Sequence, residues 1–589
     1  MKVVLSTLNA KFIHSSLALK YLEAVCRPVC PEVVSKEYTI NNELLHIVSD
    51  IYSLQPAVIG LACYIWNVDM TLKVANLLKK VLPNLIVVLG GPEVSYDAID
   101  IMKKYDCVDY IVQGEGENTL PALLAALHFD VPVCDILGLT YRNNETIISG
   151  EPQVIKELDT IPFPYCDEDI EKLSNKIIYY ESARGCPFSC SYCLSSATQG
   201  VRFFSLSRVY SDLAFFIKHN VRQVKFVDRT FNARKEHYLP ILRFLAKQDC
   251  RTNFHFEIAA DVLDDEVLEF LKEVPVGRFQ FEIGIQSTYE PTLHEISRKN
   301  NWATIVDYVT RIISYQNIHV HLDLIVGLPK ESYTRFGQSF NDVYQLKPHM
   351  LQIGFLKMLK GSGIRNHIHE DHYIFLDDAP YEVLANNCLT YGEVRKLKIL
   401  EEVFNQVYNT GRFQCTLQFL ITLHGNDAFA FYHDLATYWE EHDLHVVAHS
   451  SKSLYKYIMD FSHVYHEQEC EVIEDFLKFD ALMSEKGAVR PDFLSWNKEN
   501  WTKEKGNFWS NHQQVRKYLP EYTFTTWRDV NKRYHIEVFA IDIPKYQQSG
   551  KIVYSKTVLL FSYDQANVMY QSLDYHDFWE AQRGESDAL

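Results

Sequence analysis

Ile177-Ile178-Tyr179-Tyr180-Glu181-Ser182-Ala183-Arg184-Gly185-Cys186-Pro187-Phe188-Ser189-Cys190-Ser191-Tyr192-Cys193 carries a short apolar run straight into three cysteines spaced C-x3-C-x2-C. A loop of this size lets three thiolates converge on one iron–sulfur cluster, with Gly185 and Pro187 shaping the backbone around it. Three ligands for four irons leave one iron open to a reactant. Zinc fits less well, because structural zinc takes four ligands, commonly as separated C-x2-C pairs, and no second pair lies nearby. A disulfide would leave one thiol over. Thirteen cysteines in 589 residues are too sparse for a disulfide framework, so most read as small buried hydrophobes of a reducing compartment.

The strand before the triplet opens a series. Apolar runs at 177–181, 223–227, 253–258, 278–285, 319–326 and 349–356 alternate with helical periodicity at 207–219, 238–248, 265–274 and 302–314. Six strand-then-helix repeats predict a partial (β/α)6 barrel of TIM type, whose catalytic groups cluster at the strand C-terminal ends. An open doubly wound sheet is the alternative. The triplet falls just past the end of the first strand of this series.

Upstream, near-continuous apolar strands at 3–7, 57–63, 85–89 and 109–112 are separated by helices at 16–25 and 68–81. This predicts an N-terminal α/β domain with a doubly wound, Rossmann-like parallel sheet. Gly90-Gly91-Pro92 and Gly114-Glu115-Gly116-Glu117 follow two of its strands, at the ends where such sheets gather ligands. Ile161-Pro162-Phe163-Pro164-Tyr165 cannot be helical and marks a linker. The expected domains are 1–150, a linker at 151–172, a barrel at 173–372 and a mostly helical C-terminal region at 373–589. That last region has helical stretches at 391–407 and 432–441 and a pair of strands at 534–541 and 556–561, but no chemical motif.

Against 58 lysines and arginines stand 76 acidic side chains, a net charge of -18. That field disfavours a broad nucleic-acid or anionic-membrane surface. No apolar run approaches the ~18 residues of a membrane span. Ser6, Thr7 and Asn9 interrupt the N-terminal apolar run too early for a signal peptide, so it reads as a first buried strand of a cytoplasmic protein.

With an aromatic residue before its last cysteine, Cys186-x3-Cys190-x-Tyr192-Cys193 resembles the radical S-adenosylmethionine (SAM) enzymes. The resemblance implies a 4Fe–4S cluster whose open iron chelates the amino and carboxylate groups of SAM. An electron, supplied by a reductant such as flavodoxin or ferredoxin, would then break the S–C5′ bond and yield a 5′-deoxyadenosyl radical. Tyr192 matches the aromatic position beside the adenine. Phe226-Val227-Asp228-Arg229-Thr230-Phe231 stands where the family has a Gly-Gly-Glu segment, with Asp228 as the replacement. Phe281-Glu282-Ile283-Gly284-Ile285-Gln286-Ser287 resembles the fourth-strand segment of coproporphyrinogen-oxidase-like and Elongator-like members. Asp323-Leu324-Ile325-Val326-Gly327-Leu328-Pro329 resembles the fifth. The implied SAM contacts are Tyr192, Asp228, Glu257, Glu282, Gln286 and Gly327. For Glu257, Glu282 and Gln286 the plainer reading is strand-end polarity met by local hydrogen bonds.

The Gly90-Gly91 domain ahead of this barrel resembles the cobalamin-binding domain fused to many radical SAM enzymes. Implied cobalamin contacts are Ala62, Cys63, Tyr64, Gly90, Gly91, Ser95, Gly114 and Glu115. The Asp-x-His-x-x-Gly motif that supplies an axial histidine elsewhere is absent, and His14 reads as a surface or capping residue. A methylthiotransferase-like enzyme would need a second cluster with a cysteine after the first strand, and Leu8-Asn9-Ala10-Lys11-Phe12-Ile13-His14 has none. Cys26 and Cys30, at i and i+4, read as helix core. The C-terminal third resembles an uncharacterised domain attached to some of these proteins. The expectation is a cobalamin-dependent radical SAM methyltransferase acting on an unactivated centre of a small-molecule or peptide substrate. Its alternatives are a radical SAM enzyme without cobalamin, methylthiotransferase-like or RNA-modifying, and a non-catalytic cobalamin sensor.

Overall fold

Val3–Asn9 is buried at all seven positions and forms β1, an inner strand of the first sheet. In the computed structural model the described residues are 1–144, 146–197, 200–484, 490–497, 501–563, 568–574 and 577–578. β2 (Val33–Thr39), β3 (Val58–Ala62), β4 (Ile86–Gly90), β5 (Tyr110–Val112), β6 (Leu139–Asn143) and β7 (Thr146–Ser149) complete a sheet of order β2-β1-β3-β4-β5-β6-β7. The first five strands are parallel, whereas β6 and β7 add an antiparallel edge absent from the sequence reading. β2 was also unread, because Ser35, Lys36 and Glu37 interrupt its apolar pattern.

Both faces of this sheet carry a core, as double winding requires. Helices Leu44–Ser53 and Val68–Val81 bury Ile47, Ile51, Leu72 and Ala75 on one face. Helices Leu17–Cys26 and Gly116–Phe129 bury Leu19, Leu120 and Leu123 on the other. Cys26 and Cys30 sit in this second core, with Cys30 beyond the helix end rather than on it.

The second sheet comprises β8 (Ile178–Tyr180), β11 (Gln223–Phe226), β12 (Asn253–Ile258), β13 (Phe279–Gln286), β14 (His319–Val326) and β15 (Met350–Phe355), all parallel and in sequential order. Sequential order without reversal is barrel winding, which settles the choice against an open doubly wound sheet. Phe279, Phe281, Ile283 and Ile285 of β13 are buried, and the alternate positions Gln280, Glu282, Gly284 and Gln286 are half-buried. β14 likewise buries Val320, Leu322, Leu324 and Val326 while His321 and Asp323 take the other face. One wall of the sheet is thus apolar and the other polar.

Between β8 and β11, β9 (Ala183–Gly185) and β10 (Val201–Phe203) pair antiparallel. Their connection is the cysteine loop. β16 (Ile374–Phe375) and β17 (Val383–Ala385) form a small ribbon after the barrel. Residues 1–394 make one compact unit and residues 395–589 another. The second unit packs helices Gln414–Leu423, Ala428–Glu441, Ser451–Tyr465 and Cys470–Ser484 and carries an antiparallel sheet of β18 (Tyr534–Ile541), β19 (Tyr554–Tyr563) and β20 (Val568–Leu573). The expected strand pair is therefore a three-stranded sheet.

Gly185 has φ +100, and a Cβ there would stand 2.1 Å from the Gly200 carbonyl oxygen. Gly185→Ala strains both the backbone and the hairpin closure. It should cost about 2 kcal/mol or more, read as a lowered denaturant midpoint. A midpoint equal to wild type would contradict this.

Candidate active site

Cys186, Cys190 and Cys193 line a cavity of about 190 Å³ at the C-terminal ends of the barrel strands. Gly185, in its positive-φ conformation, turns the chain out of β9. The loop is then tied to the barrel by Ser191 N–H donating to Ile296 O (2.9 Å) and Ile364 N–H donating to Ser191 O (2.8 Å). Cys190 is buried, while Cys186 and Cys193 are half-buried. Among the described residues no three His, Cys, Asp or Glu groups converge tightly enough for a single metal ion. Three cysteines around one cavity suit an iron–sulfur cluster, for which cysteine thiolates are the usual ligands.

Tyr192, Glu257, Glu282 and Gln286 line the same cavity. Gln286 ends β13 at a register shift and takes φ +71, a bulge that re-aims its side chain over Gly284. A Cβ on Gly284 would lie 2.2 Å from Gln286 Nε2, so only glycine admits this arrangement. Gln286 Oε1 and Asp323 Oδ1 are buried without a hydrogen-bond partner. Orphaned acceptors in a cavity wall are what a ligand's hydroxyl or ammonium groups would satisfy. Glu282 accepts from Lys225 Nζ (2.9 Å) and bonds His255 Nε2 (2.9 Å). These partners overcome the cost of burial and hold its carboxyl down at about 2. Burial raises Glu257 and Asp323, each also repelled by Glu282.

Asp228 and Gly327 do not reach the cavity wall. Asp228 lies beneath the loop, accepting from Ser182 N–H (3.0 Å) and Ser182 Oγ (3.1 Å), so it fixes the turn from β8 into β9. Burial pushes its carboxyl up to about 8. Gly327 O accepts from Tyr373 OH and Asn386 Nδ2.

Arg298 was missed by the sequence reading. Half-buried beside the triplet, it donates to Cys190 Sγ (3.6 Å), Tyr192 OH (3.3 Å) and the Gly284 carbonyl. Burial raises the Cys190 thiol and Arg298 opposes that rise. No spacing pattern marks this arginine, which lies eleven positions after the Glu282–Ser287 segment ends (Ser287 to Arg298). Thr230, with Oγ1 3.4 Å from Cys186 Sγ, and exposed Arg229 were likewise unassigned.

In the N-terminal domain, Ala62, Cys63, Gly90 and Gly91 meet backbone to backbone. Cys63 N–H donates to Gly90 O (2.7 Å), and a Cβ on Gly91 would lie 2.5 Å from Cys63 O. The Cys63 thiol is itself fully buried. Ser95 Oγ donates to Gly91 O (2.8 Å) and accepts from Gly114 N–H (3.4 Å), joining the two glycine turns. Tyr64 stacks on half-exposed Trp66, with ring centroids 4.6 Å apart and planes 4° from parallel. Glu115 is turned away, onto Arg202 and Arg184. His14 Nδ1 lies 2.7 Å from Tyr179 OH of β8. Tyr96 stands near enough to Cys193 and Arg229 for both to act on its phenol, which burial raises.

Family profiles match three stretches: the B12 binding domain over residues 3–124, the radical SAM superfamily over 180–343, and a domain of unknown function, DUF4080, over 369–561. The chain thus joins a B12-binding domain to a radical SAM domain. It is 28% identical over 321 residues to the cobalamin-dependent radical SAM methyltransferase TokK of Streptomyces tokunonensis, covering 50% of this chain and 46% of TokK. It is 29% identical over 315 residues to the 2-(S-pantetheinyl)-carbapenam-3-carboxylate methyltransferase of Streptantibioticus cattleyicolor, covering 50% and 46%. The chain thus spans about half the length of the curated relatives it matches. The structure of the cobalamin-dependent SAM radical enzyme OxsB with aqua-cobalamin bound shares the fold, with TM-score 0.60, 13% identity, and 84% of this chain and 82% of that chain covered.

Asp228 supplies a test of how the loop is supported. Its carboxyl titrates at about 8 folded against 3.8 unfolded, so the folded state favours the proton. Its contribution to stability is complete below pH 3.8 and is lost as pH rises through 8. Asp228→Asn should therefore gain on wild type across that window, by on the order of a few kcal/mol. Parallel pH–stability curves for the two proteins would refute the assignment.

Proposed function

We propose that the chain is a cobalamin-dependent radical SAM methyltransferase acting on an unactivated carbon or phosphorus centre of a small molecule or peptide. The observation that carries this reading is a single cavity lined by all three cysteines together with Gln286 and Asp323, each of which keeps a buried acceptor without a partner. Cys186, Cys190 and Cys193 would hold a 4Fe–4S cluster. With SAM and cobalamin bound, these cofactors supply a hydrogen-abstracting radical and a transferable methyl group.

The protein's own part is to bind, orient and exclude water. Arg298 braces Tyr192 and would offer a half-buried cation in the cavity wall to a ligand carboxylate. Gln286 and Asp323 would accept from ligand hydroxyl or ammonium groups, and Glu257 and Glu282 add negative charge suited to a sulfonium ligand. Phe188, Ile258 and Ala259 supply apolar wall. For cobalamin, the backbone of Ala62, Cys63, Gly90, Gly91 and Gly114, with Ser95 and the Tyr64–Trp66 stack, would form the rim. The cobalamin domain is then 1–150, the barrel 173–372, and 373–589 an appended domain.

No helix among the described residues is long and apolar enough to cross a membrane. We assign the protein to the cytoplasm, where thiols stay reduced and a flavodoxin- or ferredoxin-type reductant is at hand.

Anaerobic reconstitution of the full chain with iron and sulfide tests the reading. Wild type should bind the cluster and hydroxocobalamin and form 5′-deoxyadenosine from SAM with a strong reductant. Replacing Cys186, Cys190 and Cys193 by alanine should abolish the cluster and 5′-deoxyadenosine while hydroxocobalamin still binds. A wild-type chain that takes up no corrinoid would sink the cobalamin half of the proposal.

A further inference from the structure

The acidic turn after β5 faces the cysteine hairpin and not the glycine rim. Arg202 grips Glu115 with both terminal nitrogens, at 2.9 and 2.6 Å, and also donates to Ile155 O. Ile155 N–H donates back to Glu115 Oε2 at 2.7 Å. Arg184 reaches Glu117 at 2.5 Å, Glu181 at 2.7 Å and Glu115 at 3.7 Å. These five side chains are between 9% and 20% exposed, so solvent does little to weaken their attraction.

Arg184 and Arg202 are register partners on β9 and β10. Those two strands lead into and out of the cysteine loop, and Cys186 lies two residues beyond Arg184. Carboxylates from the N-terminal domain therefore hold both stems of the loop at one level. Both oxygens of Glu115 are already engaged, Oε1 by Arg202 and Oε2 by Arg202, Ile155 and Arg184. Among the described residues, every side-chain bond of Glu115 runs to the hairpin arginines or to Ile155, and none to the rim at Gly91, Ser95 and Gly114.

We propose that Glu115 and Glu117 are positioning residues of the cysteine hairpin: the N-terminal domain lends them to fix Arg202 and Arg184, and through these the loop that receives the cluster. Glu115 accordingly serves the cluster side and makes no corrinoid contact. The proposal rests on the reading that Cys186, Cys190 and Cys193 hold an iron–sulfur cluster.

The test uses the full chain carrying Glu115→Gln and Glu117→Gln, which keep shape and remove charge. After anaerobic reconstitution, iron and sulfide per chain are counted, the EPR spectrum of the reduced cluster is recorded, and hydroxocobalamin affinity is titrated by absorbance. Retained iron should fall at least twofold and the g values of the remaining cluster should shift, with hydroxocobalamin affinity within twofold of wild type. Glu115→Asp with Glu117→Asp, which restores the charges, should recover part of the lost iron. Wild-type iron and EPR in the glutamine variant overturn the proposal, the more directly if hydroxocobalamin affinity drops tenfold. Should the double variant fail to fold, Arg202→Lys keeps the charge but loses the two-pronged grip, and the same EPR shift is expected. The cysteine-to-alanine triple variant separates the two claims, because iron retained there would mean that the cluster reading itself is wrong.

Discussion

Two arginines on paired strands, Arg184 and Arg202, fix where the cysteine loop begins and ends. A reactive loop cannot rely on its own packing, since it must leave space for what it binds. Its geometry has to be imposed from its stems. Ion pairs do that here because they are shielded from water and because their partners come from two directions: Glu181 from the barrel strand itself and Glu115 and Glu117 from the first sheet. Beneath them, Asp228 gathers Ser182, and His237 Nε2 lies 3.3 Å from Ser182 Oγ. The stems are over-determined so that the loop need not be.

Much of this was legible in the sequence. The barrel strands at 253–258 and 319–326 and the helix at 302–314 are read to the residue, because their apolar periods are unbroken. That the three cysteines gather at one cavity was legible from their spacing and their place after the first barrel strand. What resisted reading was long-range. Arg298 is separated in sequence from the cysteine whose sulfur it faces by more than a hundred residues, and no period links them. Glu115 looked like a rim residue because it follows a glycine at a strand end, yet its partner sits on a hairpin that comes 87 positions later. β20 escaped notice because its burial alternates weakly, with only Leu573 fully buried.

The polar wall of the barrel reconciles the two readings of its strand-end residues. Small closed barrels usually fill their interior with branched apolar layers. Here Gln223 bonds Asn253, Gln280 meets His321, and Lys225 and His255 both reach Glu282. Glu282 on this wall finds a lysine and a histidine, and the glutamines find other dipoles, so much of the polarity is met without a hydrophobic filling. Strand-end hydrogen bonding and ligand binding are consequently not exclusive roles. Glu282 is satisfied by its neighbours and still presents charge to the cavity, whereas Asp323 and Gln286 keep an acceptor unspent.

The same logic relates the two sheets of the first unit. Contacts between them come from residues that follow strand C-termini: Glu93 after β4 accepts from Tyr381 OH (2.9 Å), Asp97 pairs with Lys360 (3.1 Å), and Glu117 after β5 pairs with Arg184 after β8. Tyr96, in the same stretch as Glu93, lies against Gly361 and so near that a Cβ there would come within 2.4 Å of its ring. Parallel sheets bind ligands at their carboxyl ends, and each of these sheets turns that end toward the other. The glycine rim of the first sheet and the cysteine loop of the second therefore border one space, with Tyr96 and Arg229 beside it, an arrangement that neither sheet could provide alone.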